Sequence, residues 1–144
     1  MKNLLLHVDQ AVATVTLDRP EMRNAFNEDV IAELADTFCS LGARDDVRCI
    51  VLAARGPAFC AGADLNWMKR MADYTRDENV ADATALAAML RTIFECPKPT
   101  IAKVQGDVYA GGTGLVAACD IAVSVDTAGY CLSEVKVGLI PATI

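Results

Sequence analysis

Tyr109-Ala-Gly-Gly-Thr-Gly-Leu115 crowds three glycines into the entry of a helical pattern that runs from Gly111 to Cys119. Glycine inside a helix costs about 1 kcal/mol relative to alanine, so the placement needs a compensating reason. Close approach of the backbone to a ligand or a neighbouring strand supplies one. A second segment, Phe59-Cys-Ala-Gly-Ala-Asp-Leu65, repeats the arrangement: strand or loop first, small residues next, then a helical pattern beginning near Ala63. Strand before and helix after, twice along one chain, predicts an α/β fold.

Working outward, Leu4–Val8 and Ala11–Leu17 read as a two-stranded hairpin around Asp9-Gln10. Asn27 is placed to cap a helix whose apolar face is Val30, Ile31, Leu34, Phe38 and Leu41, ending at Gly42. Cys49–Ala53 predicts a short buried strand and Ala54–Cys60 a loop. Asp73–Asn79 reads as a charged, mobile stretch. Val80–Cys96 predicts a longer helix burying Ala83, Leu86, Ala87, Leu90, Ile93 and Phe94, stopped by Pro97 and Pro99. Thr100–Val104, Ile121–Val125 and Tyr130–Leu132 predict further strands. The repeated order is strand, strand, helix, in one domain over residues 1–144. Val137-Gly-Leu-Ile-Pro-Ala-Thr-Ile144 stops on apolar residues just after a proline suited to a first helical turn, so the chain reads as the N-terminal portion of something longer.

Composition narrows the possibilities. The 144 residues are 53% hydrophobic, with mean hydropathy +0.30, enough for a substantial core. A formal charge of −6 argues against a nucleic-acid partner, because phosphate contacts need clustered Lys and Arg. No apolar run approaches the ~20 residues of a membrane span. The six cysteines are scattered without a C-x-x-C pair, which predicts reduced, buried thiols in a cytoplasmic protein and no metal site. His7 has no Ser or Cys motif near it, so a hydrolytic triad has nothing to rest on.

Helix starts carry free N–H groups and the positive end of the helix dipole. Two such starts cleared of side chains can converge on one oxygen, which is how an oxyanion hole for a carbonyl or thioester is built. At Ala61-Gly-Ala-Asp64, the Ala63 N–H would face that oxygen while Asp64 opens the helix; an ordinary glycine turn with an acidic helix start fits the same residues. Gly112-Thr-Gly114-Leu-Val-Ala117 also matches the dinucleotide pattern G-x-G-x-x-A. That match fails, because Gln105–Gly111 separate the glycines from the preceding strand and the helix is too short. Glu134 follows an apolar strand, and a desolvated carboxyl suits proton transfer; a surface Glu paired with Lys136 fits equally. Asp120 reads as structural. Trp67, Met68 and Met71 fit either a pocket wall or the core, and Lys69 and Arg70 beside them are basic.

The chain resembles the N-terminal half to two-thirds of the enoyl-CoA hydratase/isomerase, or crotonase, family. The landmarks are Leu17-Asp-Arg-Pro-Glu-Met-Arg-Asn-Ala25, Ala58–Leu65, Pro97-Lys-Pro-Thr-Ile-Ala102, the glycine-rich run Gly106–Asp120, and Ser133-Glu134 before Gly138-Leu-Ile-Pro141. Ala63-Asp-Leu-Asn-Trp-Met68 and Cys131-Leu-Ser-Glu134 look most like the bacterial methylglutaconyl-CoA hydratases of leucine breakdown. The resemblance implies a crotonase-like spiral of strand–strand–helix units, lacking the C-terminal helical region that supplies trimer contacts. It implies an acyl-CoA thioester substrate, an oxyanion hole at the N–H groups of Ala63 and Gly111, and Glu134 as catalytic acid/base. Substrate contacts are implied at Arg23, Ala25, Ala61, Gly62, Asp64 and Leu65. It implies no cofactor beyond the coenzyme A of the substrate, and a homotrimer or dimer of trimers at full length. One departure stands out: the first of the two glutamates common in family hydratases falls on Gly114, which equally suits an isomerase, while the lacking C-terminal region suits an acyl-CoA-binding remnant without turnover.

Overall fold

A computed structural model describes residues 1–143; Ile144, the end of the apolar tail noted above, lies outside the described residues. The chain runs through pairs of strands, each pair followed by helical structure. β1 (Leu4–Asp9) and β2 (Val12–Leu17) precede a short 3₁₀ turn (Pro20–Met22) and α1 (Glu28–Gly42). β3 (Cys49–Ala54) and β4 (Ala58–Cys60) precede α2 (Leu65–Met71) and α3 (Arg76–Phe94). β5 (Thr100–Val104) and β6 (Asp107–Tyr109) precede α4 (Gly111–Ala118); β7 (Ile121–Ser124) and β8 (Tyr130–Cys131) precede a 3₁₀ turn, Ser133–Val137.

The strands form two sheets, ordered β1-β2-β3-β5-β7 and β4-β6-β8. β1 and β2 pair antiparallel, and every other pairing is parallel. From β3 onward, each unit sends its first strand to the large sheet and its second to the small one. Parallel neighbours need a crossover between them, and the helices provide it, so the chain winds forward as a spiral.

Local chemistry explains most of the elements. The β1–β2 turn places Gln10 (φ 46°) and Ala11 (φ 63°) at positive φ, the twist that a tight two-residue hairpin requires. The Asn27 side chain accepts from the Val30 N–H and starts α1, whose Val30, Ile31, Leu34, Phe38 and Leu41 are all buried. These residues meet Val15, Ile50 and Leu52 of the large sheet in the core.

Three expectations need correction. β4 and β6 were not foreseen, since three-residue strands are too short to show a period; β4 falls in the stretch read as loop. α3 begins at Arg76 rather than Val80, because Thr75 and Glu78 form a capping box that orders the charged stretch. Its buried residues are Met89 and Ile93, with Leu86 and Leu90 partly covered, whereas Ala83 and Ala87 are exposed and Phe94 is 71% exposed. The six cysteines are free, but only Cys60 is buried, and Cys39 is exposed. Burial pushes the Cys60 thiol up to about 12, despite a hydrogen bond from the Gly62 N–H.

One buried ion pair holds the turn after β4. Arg19 donates to the Asp64 carboxylate at 3.0 Å and to the Ala25 carbonyl. Asp64, 4% exposed, also accepts from the Asn66 N–H at 2.8 Å and caps α2. The neighbouring backbone is laced to the same segment: Phe26 N–H donates to Gly62 O, and Asp64 N–H to Phe26 O, both at 2.9 Å. Burial pushes the Asp64 carboxyl upward, but the Asn66 N–H, Arg19 and the Trp67 N–H outweigh it and hold the group below the usual carboxylate range.

A depressed folded pKa gives stability that is present above the unfolded value of about 3.9 and lost as pH falls through the folded one. Asp64→Asn keeps a capping side chain and removes the charge facing Arg19. Urea midpoints taken across pH should show the variant less stable at neutral pH, with the gap closing in acid below the unfolded value. Parallel pH profiles for the two proteins would contradict this role of the pair.

Candidate active site

β4, β6 and β8 are parallel neighbours, so their C-terminal ends line up along one edge of the small sheet. In open parallel sheets that edge is where ligands bind. Just past those ends come Ala63, Gly111 and Glu134, each two or three residues beyond its strand. Neighbouring strands lie about 4.8 Å apart, which sets the scale of the site. Gly111 occupies the middle position, with Ala63 on one side and Glu134 on the other.

The two backbone donors are unengaged for different reasons. Ala63 forms an isolated parallel bridge with Phe26. In that pattern Gly62 and Asp64 make the bonds to Phe26, and the Ala63 N–H turns the other way. Gly111 is the first residue of α4, so no helical carbonyl lies behind it. The ladder to β8 ends one residue earlier, with Ala110 N–H donating to Cys131 O at 2.8 Å. Among the described residues, neither the Ala63 nor the Gly111 N–H has a hydrogen-bond acceptor.

The two segments are in contact. A Cβ built on Gly62 (φ 86°) would stand 2.9 Å from Ala110 Cβ and 3.2 Å from the Gly111 nitrogen. A Cβ on Gly111 would come within 2.6 Å of Phe26 Cζ, and one on Gly112 within 2.6 Å of Cys60 O. These contacts are the reason for the glycine-rich run: it lies against a ring and a strand backbone. Ala110 has φ 48° and ψ −125°, a conformation that costs a non-glycine residue about 1–3 kcal/mol and is characteristic of functional sites. The strained residue sits immediately before one of the two free donors.

Ala63 and Gly111 both line a cavity of about 230 Å³, walled also by Phe26, Ala61, Leu65, Met68, Leu86, Ala110 and Ile140 among others, with Ser133, Glu134 and Thr143 as its polar side chains. Glu134 lies in the 3₁₀ turn after β8, where its Oε2 is buried without a hydrogen-bond partner among the described residues. It makes no ion pair with Lys136 among the described residues. A buried carboxylate oxygen left unpaired costs stability, and a ligand or water in the cavity is its available partner.

Ala61, Ala63, Leu65, Gly111 and Glu134 therefore share one cavity, whereas Arg23, Ala25, Gly62 and Asp64 are not in its lining. Arg23 is exposed, Ala25 and Gly62 are buried, and the Asp64 carboxylate is occupied by Arg19 and the α2 cap. Of the apolar candidates, Met68 lines the cavity, Met71 packs on the core, and Trp67 is 3% exposed with its Nε1–H on Asp82. Arg70 pairs with Glu28. Asp120 accepts from the Thr100 N–H and hydroxyl, a structural tie between β5 and the end of α4. Among the described residues no group of three or more His, Cys, Asp or Glu could hold a metal. Phe26, Ala110 and Thr143 went unnoticed in the sequence. The crowding of Gly111 was the one signal that something large, now seen to be Phe26, had to lie beneath it.

The sequence profile of the enoyl-CoA hydratase/isomerase family matches residues 7–144. An enoyl-CoA hydratase of Alternaria alternata is 40% identical over 134 residues, covering 90% of this chain and 42% of the relative. A 1,2-epoxyphenylacetyl-CoA isomerase of Escherichia coli is 35% identical over 144 residues, covering 98% of this chain and 54% of the relative. The crystal structure of an enoyl-CoA hydratase from Shewanella pealeana superposes with a TM-score of 0.94 at 40% identity, covering 98% of this chain and 53% of that one. The chain thus spans about half the length of the proteins it matches, and over that half the repeated strand–strand–helix spiral is the crotonase fold. With its fold and nearly its whole length accounted for in this way, the chain belongs to the enoyl-CoA hydratase/isomerase family.

Proposed function

We propose that the protein carrying this chain is an acyl-CoA lyase that adds water to a 2-enoyl-CoA thioester. What supports this reading is that Ala63, Gly111 and Glu134 line one cavity, while the two N–H groups and one Glu134 carboxylate oxygen lack partners among the described residues. The thioester oxygen is bound between the N–H groups of Ala63 and Gly111. As water adds to the β-carbon, the double-bond electrons move toward that oxygen, and each donor stabilises the resulting charge by about 3 kcal/mol. Glu134 takes the proton from the adding water and delivers it to the α-carbon, which returns the carboxylate to its starting state. The coenzyme A is part of the substrate, and the chemistry requires no separate cofactor.

For the acyl group, the stretches Ala63–Met68 and Cys131–Glu134 favour 3-methylglutaconyl-CoA, hydrated to 3-hydroxy-3-methylglutaryl-CoA in leucine degradation. We assign the full-length protein to the cytoplasm, in keeping with its six free cysteines, and to a homotrimer or dimer of trimers. A second reading is an enoyl-CoA isomerase. It is favoured by Gly114, where Thr143 O lies 2.5 Å from any Cβ, so no second carboxylate can project from that position. Moving a proton between carbons needs only one acid. An acyl-CoA-binding remnant without turnover is the third outcome that assays would reveal.

Glu134→Gln in the full-length enzyme should lower hydration of 3-methylglutaconyl-CoA and crotonyl-CoA by about 10²–10⁴-fold, with acyl-CoA affinity little changed. Wild-type turnover in this variant would remove Glu134 from the mechanism. Migration of the double bond in a 3-enoyl-CoA without water uptake would favour the isomerase. Gly111→Ala tests the donor pair: its methyl must displace the Phe26 ring, so kcat should fall by about 10²-fold or more. A variant that turns over normally while remaining folded would show that the Gly111 N–H is not a donor to the thioester.

A further inference from the structure

Gly114 leaves the hydration reading with one acid and no evident means of orienting the water. The structure places a different polar group in that direction. A Cβ added to Gly114 would lie 3.0 Å from Thr143 Cβ and 3.2 Å from its Oγ1, so Thr143 fills the path a longer side chain at position 114 would take. Thr143 lines the same cavity as Ala63, Gly111 and Glu134. Its Oγ1 is buried and has no hydrogen-bond partner among the described residues, as is also true of Glu134 Oε2. Both oxygens belong to residues that line one cavity and lack a partner among the described residues, a lack that one polar molecule held between them would make good.

We propose that Thr143 is a water-positioning residue, holding the water that adds to the substrate; this rests on the hydration reading above. The water donates one O–H to the Glu134 carboxylate and the other to Thr143 Oγ1, which directs its lone pair at the β-carbon. A hydroxyl with a pKa far above neutral can hold water but not deprotonate it. When the O–C bond forms and the double-bond electrons shift to the thioester oxygen, the proton passes to Glu134, which then protonates the α-carbon. Thr143 gains and loses nothing in the cycle. The division of labour predicts that Thr143 matters for water addition and not for proton transfer at carbon.

The test uses the full-length enzyme with Thr143→Val, which keeps the shape and removes the hydroxyl, and Thr143→Ser, which restores it. Hydration of crotonyl-CoA is compared with α-proton exchange of butyryl-CoA in deuterium oxide, a reaction that needs Glu134 and the oxyanion donors but no added water. Thr143→Val should lower the kcat of hydration about tenfold or more, leave KM and the exchange rate within about twofold, and be rescued by Thr143→Ser. Unchanged hydration in Thr143→Val, or equal loss of hydration and exchange, would overturn the assignment. Wild-type enzyme that exchanges the α-proton but hydrates nothing would instead overturn the hydration reading, and the Thr143 role with it.

Discussion

Parallel pairing of β4, β6 and β8 is the constraint from which the site follows. These strands are only two or three residues long, and they add little to the core by their length. Their effect comes from direction. Because all three run the same way, the segments leaving them emerge at one edge, and groups far apart in sequence become neighbours at strand spacing. Had one strand been reversed, its exit would lie at the opposite edge. The large sheet, α1 and the Arg19–Asp64 pair hold this arrangement in place, and the crowded glycines let α4 settle onto Phe26 and β4 without a side chain intervening.

The site is prepared at a cost the rest of the fold must offset. Ala110 is held in backbone space that suits glycine better, and among the described residues two donors have no acceptor and a buried carboxylate oxygen has no partner. A chain optimised for stability alone would have satisfied those groups internally. Groups left unsatisfied in this way need no internal hydrogen bond broken before a ligand engages them. Preorganisation of this kind accounts for much of what backbone donors contribute to catalysis.

Much of this was legible from residues alone. The α1 stripe from Val30 to Leu41 has an unambiguous helical period, and the Asn27 cap and following Gly42 bracket it. The two small-residue helix starts were visible because glycine at such positions is unfavourable without a close neighbour. The missing parts have physical reasons. Strands as short as β4 and β6 have no period to detect. The Thr75–Glu78 capping box was hidden in a run of charges that reads as solvated. The inward face of α3 depends on where α1 lies, which sequence spacing cannot say, so Phe94 was assigned inward and Met89 overlooked. Asp64 shows the same limit at the level of one side chain: its place in a motif was plain, but its engagement by Arg19, forty-five positions earlier, was not.

The spiral keeps each free donor ahead of the helix it introduces. The stretch that follows Ala63, from Leu65 through Phe94, is an excursion from the sheets that delivers Met68 and Leu86 to the cavity wall. Changes in the residues of such an excursion therefore alter the cavity wall while the strand ends that carry Ala63 and Gly111 are kept. A scaffold divided this way is open to diversification: the cavity wall can vary one helix at a time while the edge of the small sheet is kept. That separability fits a family in which hydratases and isomerases of quite different thioesters share one backbone.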